Sequence, residues 1–362
     1  DREKTGKKLK PKVEPFNPGS RQQIAQRLMD VHGWEPIELT PDGKPRVDES
    51  VLVTLPYPEA KTLSRYLTIQ KRLGQLADGD EAWMKAVASD GRLHGRVNTN
   101  GAITGRCTHR SPNMAQIPTD KEYRSLFVPS KGKVLVGADA SGLELRCLAH
   151  FLGKYDGGEY CRAVVEGDIH WTNAIAFGLT TDVVQDKSNP AHKAARNQAK
   201  GAIYALIYGA GNEKLGMVLG GNKNTGAKAR RNFEAKVPAY LRLKEDVALA
   251  LSTKGFLRGL DARPLYPRSE HAALNTLLQS AGAVVMKQAC VNAWRAIADP
   301  VKNGVEQVAS VHDEYQFAVF PDYADKLGNI LVCSIRKAGV DFDFRCPLDG
   351  EFRVGANWAE TH

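Results

Sequence analysis

Residues Lys133–Ala138 read Lys-Val-Leu-Val-Gly-Ala, a short valine-rich apolar run that predicts a buried strand and leaves Asp139 at its carboxyl end. A helix is expected to start directly after it, at Ser141 or Gly142. Gln307 to Phe320 falls into two β-rich arms about His312-Asp313, with Tyr315, Phe317 and Val319 alternating on the second. This predicts a hairpin with Asp313 at its tip. Between these two segments the apolar spacing is helical over Gly158–Glu166, Asp168–Phe177, Pro190–Tyr208, Gly226–Leu251 and His271–Ala298. Upstream, Ser20 stands where a cap for Arg21–His32 is needed. Leu63, Leu67, Ile69, Leu73 and Leu76 give Ala60–Leu76 one apolar face and a charged one bearing Lys61, Arg65, Lys71 and Arg72. Few strands among many helices, without an internal repeat, point to an α+β fold.

Length changes the picture by excluding a small module: 362 residues allow two or three lobes around a sizeable core. Hydrophobic residues at 42% and charged residues at 25% are globular values, and no apolar run approaches the roughly 18 residues of a membrane span. A net charge of +9 favours a polyanionic partner. Six basic side chains against two acidic ones in residues 1–12 predict a flexible basic arm over residues 1–14. The six cysteines form no C-x-x-C pair, so neither a zinc site nor a disulfide framework is expected, and reduced intracellular thiols are. A chain that opens on Asp1 rather than Met is expected to begin at a fragment boundary, without a signal peptide.

Two strands side by side, each delivering an aspartate to its end, would bring Asp139 and Asp313 together as oxygen ligands for a divalent cation, with the carbonyl of Ala140 beside them. Taken singly, either aspartate reads equally as a turn or cap residue. In Pro190–Tyr208, Arg196, Lys200, Tyr204 and Tyr208 recur every fourth residue and form one stripe, cationic and then aromatic. Guanidinium and ammonium suit phosphate oxygens, and phenol rings suit a sugar or base, although an exposed basic turn followed by two core tyrosines has the same spacing. His271, Asn275 and Gln279 stand at i, i+4 and i+8, where amide groups suit the acceptors common to all base pairs in a minor groove, or an ordinary solvated face. Gly167-Asp-Ile-His170 opens a helix whose start and histidine suit an anion.

Taken in order, these segments resemble the three polymerase motifs of family A DNA polymerases, the bacterial DNA polymerase I type, and among them the replicative polymerases of short-tailed phages. Asp139-Ala-Ser-Gly-Leu-Glu-Leu-Arg146 resembles motif A, Arg196-x3-Lys200-x3-Tyr204-x3-Tyr208-Gly209 motif B, and Val311-His-Asp-Glu-Tyr315 motif C. Thr104-Gly-Arg106, Ser111–Pro118, Gly167–His170 and Leu274–Gly282 extend the likeness from about Gly91 to Asn357-Trp358. Ala140-Ser141-Gly142 departs from the Tyr-Ser-Gln of bacterial repair members, at positions that are not the metal ligands.

The resemblance implies a right-hand architecture, with an antiparallel-sheet palm, helical fingers and a partial helical thumb. The partial thumb and its connection to the palm would span residues 15–90, the palm 91–151 and 259–362, and the fingers 152–258. It implies template-directed DNA synthesis from dNTPs on a primer–template, with two Mg²⁺ ions, or Mn²⁺ in their place, held by Asp139, Ala140 and Asp313. Lys200 would be a general acid and Glu314 an accessory carboxylate. Arg196, Lys200, Tyr204, His170, Glu144 and Tyr208 would bind the nucleotide, with Glu144 gating the sugar and Tyr204 allowing dideoxynucleotides. Arg106, His271, Asn275, Gln279, Gly209 and His312 would contact DNA. A replisome helicase–primase is a partner that the resemblance allows, and a thioredoxin-type processivity factor is not implied by these residues. Phage replication would place the chain in the cytoplasm of a bacterial host. A non-catalytic DNA-binding remnant is the competing reading; so is a single-subunit RNA polymerase, against which Glu144 and the wording of motifs A and C argue.

Overall fold

In the computed structural model the Ser20 hydroxyl accepts from the Gln23 amide and opens helix α1 (Arg21–His32), which Gly33 ends in the left-handed region. Asp48 caps α2 (Glu49–Leu52) in the same way, accepting from the Ser50 and Val51 amides. The amphipathic run forms α3 (Pro58–Leu73) and then widens into a π-helical turn, Gly74–Asp78, instead of continuing regularly to Leu76. A short α4 (Trp83–Ala86) follows. Ile24, Leu28, Leu52 and Leu67 build the core of this unit, residues 1–95, whereas Ile69 and Leu73 stay exposed. The described residues are 14–36, 38–40 and 42–362, with the backbone of two short antiparallel strands, Glu3–Lys4 (β1) and Lys7–Lys8 (β2). The basic arm expected over residues 1–14 otherwise lies outside them.

Residues 96–362 form the second unit. It opens with a hairpin, β3 (Arg96–Asn98) and β4 (Thr108–Arg110), and a short helix α5 (Lys121–Arg124). The valine-rich run forms β5 (Val134–Ala140) as expected. Helices then follow in succession: α6 (Leu143–Asp156), α7 (Glu159–Glu166), α8 (Ile169–Phe177), α9 (Pro190–Ile207), α10 (Asn212–Val218), α11 (Lys223–Lys236) and α12 (Pro238–Lys254). The single helix expected over Gly226–Leu251 is in fact two. Pro238 has no amide to donate and forces Val237 out of the helical region, to φ −123° and ψ 67°.

A two-residue hairpin, β6 (Leu257–Arg258) with β7 (Pro264–Leu265), leads to the long α13 (Ala273–Ala296), which a 3₁₀ turn at Glu270–Ala272 precedes. The predicted hairpin follows as β8 (Glu306–Val311) and β9 (Glu314–Val319), and α14 (Ala324–Asp341) and β10 (Gly350–Gly355) complete the unit. The main sheet has the order β10-β5-β9-β8 and is antiparallel throughout, so the fold is α+β. Apolar residues at alternate positions of β5 and β9, Val136 and Phe317 among them, are fully buried. Helix α14 packs on β5, β10 and α13, and α13 packs on α6.

Candidate active site

Register in the sheet fixes the acidic centre. Asp139 is paired with Glu314 of β9 on one side and Glu351 of β10 on the other, so three carboxylates lie in a row across the strands. The Ala140 amide donates to the Asp313 carbonyl at 3.0 Å, which ties the end of β5 to the hairpin tip. That tip turns because His312 takes a left-handed conformation, φ 56°. Asp139 reaches solvent, yet its low-polarity surroundings and then the charges of Asp313, Glu314 and Glu351 push its carboxyl up to about 7, against the pull of Arg124. Burial, with Glu144 adding to it, raises Asp313 as well, despite opposition from His312 and Arg106.

Such crowding of like charge is the signature of a site built for cations. Among the described residues no cluster of three or more His, Cys, Asp or Glu side chains is arranged to hold a metal. The donors expected from the sequence, Asp139, Asp313 and the Ala140 carbonyl, come from the end of β5 and the hairpin tip tied to it, and all of them are oxygens. An all-oxygen set with few protein ligands suits Mg²⁺, which takes its remaining ligands from water and substrate phosphates.

Glu314 is differently placed from the two aspartates. Buried at 4% exposure, it accepts hydrogen bonds from Trp358 Nε1 at 2.5 Å and Gln316 Nε2 at 2.6 Å, and His362 Nδ1 lies 2.9 Å away. Arg124, 6% exposed, pairs with it at 3.6 Å and lies over the Trp358 ring, 4.9 Å from its centroid. Arg124 Nε and Nη1 have no hydrogen-bond partner among the described residues. No spacing marks Arg124, Gln316 or His362 in the sequence, because only the folded sheet brings them to Glu314.

Helix α9 faces this centre. Asn189 caps it, accepting from the Ala191 amide, and Pro190 supplies the first turn. Ala195, Ala199, Ala202, Ile203 and Leu206 are buried, which leaves Arg196, Lys200, Tyr204 and Tyr208 on the other face, as the spacing predicts. The His170 and Tyr204 rings are 6.5 Å apart, and burial followed by the charges of Arg196 and Lys200 lowers His170. Tyr204 is raised to about 12 by burial and then by Glu144 and Asp313, so the aromatic part of the stripe lies within the field of the acids.

Glu144 joins two other expected residues. Its carboxylate accepts from Tyr208 Oη at 2.7 Å and pairs with Arg106 at 3.5 Å. Gly209 ends α9 at φ +74°, where an added Cβ would lie 2.6 Å from the His271 carbonyl oxygen. Beside it a cavity of about 590 Å³ is lined by Gly211, Arg230, Tyr240, Lys244 and His271. Asn275 Oδ1 is buried without a hydrogen-bond partner among the described residues, and Gln279 is half-buried on the same helix. Sequence reasoning missed Arg263, which donates to the Thr104 carbonyl at 3.0 Å and Ser280 Oγ at 3.2 Å and so holds the turn before Arg106 against α13. It also missed Asp168, although an aspartate just ahead of an apolar helix is a recognisable cap signal.

The model of the family "DNA polymerase family A" matches residues 2–360, and the chain belongs to that family. It is 39% identical to a DNA-directed DNA polymerase of Enterobacteria phage T3 and 38% identical to one of Escherichia phage T7. Each match covers 96% of this chain and 53% of the relative, so the chain spans about half the length of these curated proteins. The POL domain of Pol1 from M. smegmatis, solved in complex with DNA primer-template and dNTP, has the same fold. Its TM-score is 0.80 at 24% identity, over 96% of this chain and 62% of that one. No described helix is long and apolar enough to cross a membrane.

Proposed function

We propose that the chain carries out template-directed DNA synthesis, transferring a nucleotidyl group from a dNTP to a primer 3′-hydroxyl in phage replication within a bacterial host. The observation that carries this reading is the union of Asp139 and Asp313 at one sheet end, opposite the cationic and aromatic stripe of α9. Asp139, Asp313 and the Ala140 carbonyl would hold two divalent ions, Mg²⁺ or Mn²⁺, which supply activation of the hydroxyl and neutralisation of phosphate charge.

The remaining work falls to side chains. Arg196, Lys200 and His170 bind the triphosphate, and Lys200 holds a proton at Nζ for the departing pyrophosphate. Glu144, fixed by Tyr208 and Arg106, excludes a 2′-hydroxyl. Tyr204 meets the sugar of the incoming nucleotide, and Tyr208 and Gly209 border the templating base. Glu314, saturated by protein donors, acts as an accessory carboxylate through its field on Asp139. Arg106, His271, Asn275, Gln279 and His312 contact primer and template by shape.

In this reading residues 91–151 and 259–362 form the palm, 152–258 the fingers and 15–90 part of a thumb, and a helicase–primase is a further replisome partner. Extension of a labelled primer–template with dNTPs and Mg²⁺ tests it. The chain is expected to synthesise DNA, and Asp139→Ala/Asp313→Ala to bind the duplex without extending it. A parent that binds DNA and adds nothing would instead make the chain a non-catalytic DNA-binding remnant.

A further inference from the structure

Arg196 does not stand free in its stripe. Its Nε donates to Asp168 Oδ2 at 2.6 Å, and the partners come from different helices, 31% and 32% exposed at the side chain. The other carboxylate oxygen, Oδ1, accepts from the His170 amide at 3.0 Å and the Trp171 amide at 3.2 Å, closing the first turn of α8. Trp171 is itself buried and its indole donates to the Val183 carbonyl at 3.1 Å, so this turn is anchored from its far side too. His170 Nδ1 is buried without a partner among the described residues, which leaves Nε2 as the nitrogen able to meet a ligand.

We infer that Asp168 is a positioning residue for the nucleotide, its single carboxylate locking the guanidinium of Arg196 and the helix start that carries His170 into one rigid unit. The inference rests on the proposed reading, in which both side chains meet the triphosphate. A carboxylate on Nε leaves the two Nη groups of Arg196 as a fork of fixed direction, the geometry that matches phosphate oxygens. An arginine held in this way loses little rotamer freedom when the ligand arrives. Without Asp168 that ordering falls to the binding step, which for one rotamer-rich side chain weakens affinity by about tenfold.

Substitution by serine separates the two roles of Asp168, since Ser still caps a helix but is too short to reach Arg196. The measurement is the Kd of dTTP, with Mg²⁺, in a complex of the full chain and a dideoxy-terminated primer–template that presents a templating adenine, so that no chemistry occurs. Asp168→Ser is expected to weaken dTTP binding by about tenfold with duplex affinity unchanged. Asp168→Asn, which keeps both length and cap, is expected to weaken it by about threefold. In the Arg196→Ala background Asp168→Ser should add nothing further, because residues acting through one another are not additive. Wild-type affinity in both Asp168 variants, or independent losses in the double variant, would overturn the inference alone. An Arg196→Ala variant with unaltered dTTP affinity would overturn the triphosphate reading and the inference with it.

Discussion

Replacing Glu314 by glutamine keeps the shape of the side chain and removes its charge. The amide oxygen can still accept from Trp358 and Gln316, but the amide NH₂ then points toward His362 and toward Arg124, which can only donate. Arg124 suffers most: it is buried, two of its nitrogens already lack hydrogen-bond partners, and Glu314 is the one carboxylate it pairs with among the described residues. Leaving a buried charge without its partner costs about 3–5 kcal/mol. At about 2 °C per kcal/mol for a unit of this size, Glu314→Gln should melt about 6–10 °C below the parent. Removing the guanidinium as well, in Arg124→Met/Glu314→Gln, should recover about half of that, because the unpaired charge is gone. Thermal unfolding followed by tryptophan fluorescence reads both, with Trp358 inside the network as a local reporter. A Glu314→Gln melting point within about 2 °C of the parent, or strict additivity in the double variant, would show that Arg124 is compensated by something other than Glu314.

Two further outcomes follow from local geometry. Gly209→Ala places an L side chain at φ +74° and its Cβ 2.6 Å from the His271 carbonyl, so a loss of about 2–4 kcal/mol is expected. An unchanged denaturation midpoint would disprove the close approach. In the N-terminal unit, burial alone would raise Asp48, but hydrogen bonds from Ser50, the Val51 amide and Arg46 outweigh it and hold the carboxyl at about 2, below its ordinary 3.8. The folded value is the depressed one, so the contribution is complete above pH 4 and is lost as pH falls toward 2. It amounts to about 2 kcal/mol, and the stability gap between parent and Asp48→Ala should close by roughly half at pH 3. A gap that stays constant between pH 6 and pH 3 would refute the assignment.

What was readable in the sequence is what local periodicity controls. β5, the β8–β9 hairpin and the face of α9 each announce themselves by burial pattern, and the aspartates fall at their ends for the same reason. Arg124 was invisible because nothing near it in the chain explains a buried guanidinium; its partners Glu314 and Trp358 arrive only through the sheet. The break at Pro238 was legible and was overridden by the helical spacing on either side of it. β10 was missed because the alternation of charged and apolar residues in it, Glu351-Phe352-Arg353-Val354, is only four residues long and has glycine at either end, so its strongest reason to be extended is the open edge of β5. Asp168 could be read as a cap, but not as the partner of Arg196 one helix away.

The order β10-β5-β9-β8 also has a consequence in time. β5 is the first strand of this sheet to be made, and every helix from α6 to α13 is made before either of its neighbours exists. Until then both of its edges carry unpaired amides and carbonyls beside the apolar residues Leu135 and Val136, an arrangement prone to pairing with the wrong chain. Closure of the sheet is therefore a late, long-range event in folding, slow compared with the helices that precede it. Slowed release of the segment beyond α13, or a truncation before β10, would be felt first as aggregation through β5 rather than as a loss of nucleotide chemistry.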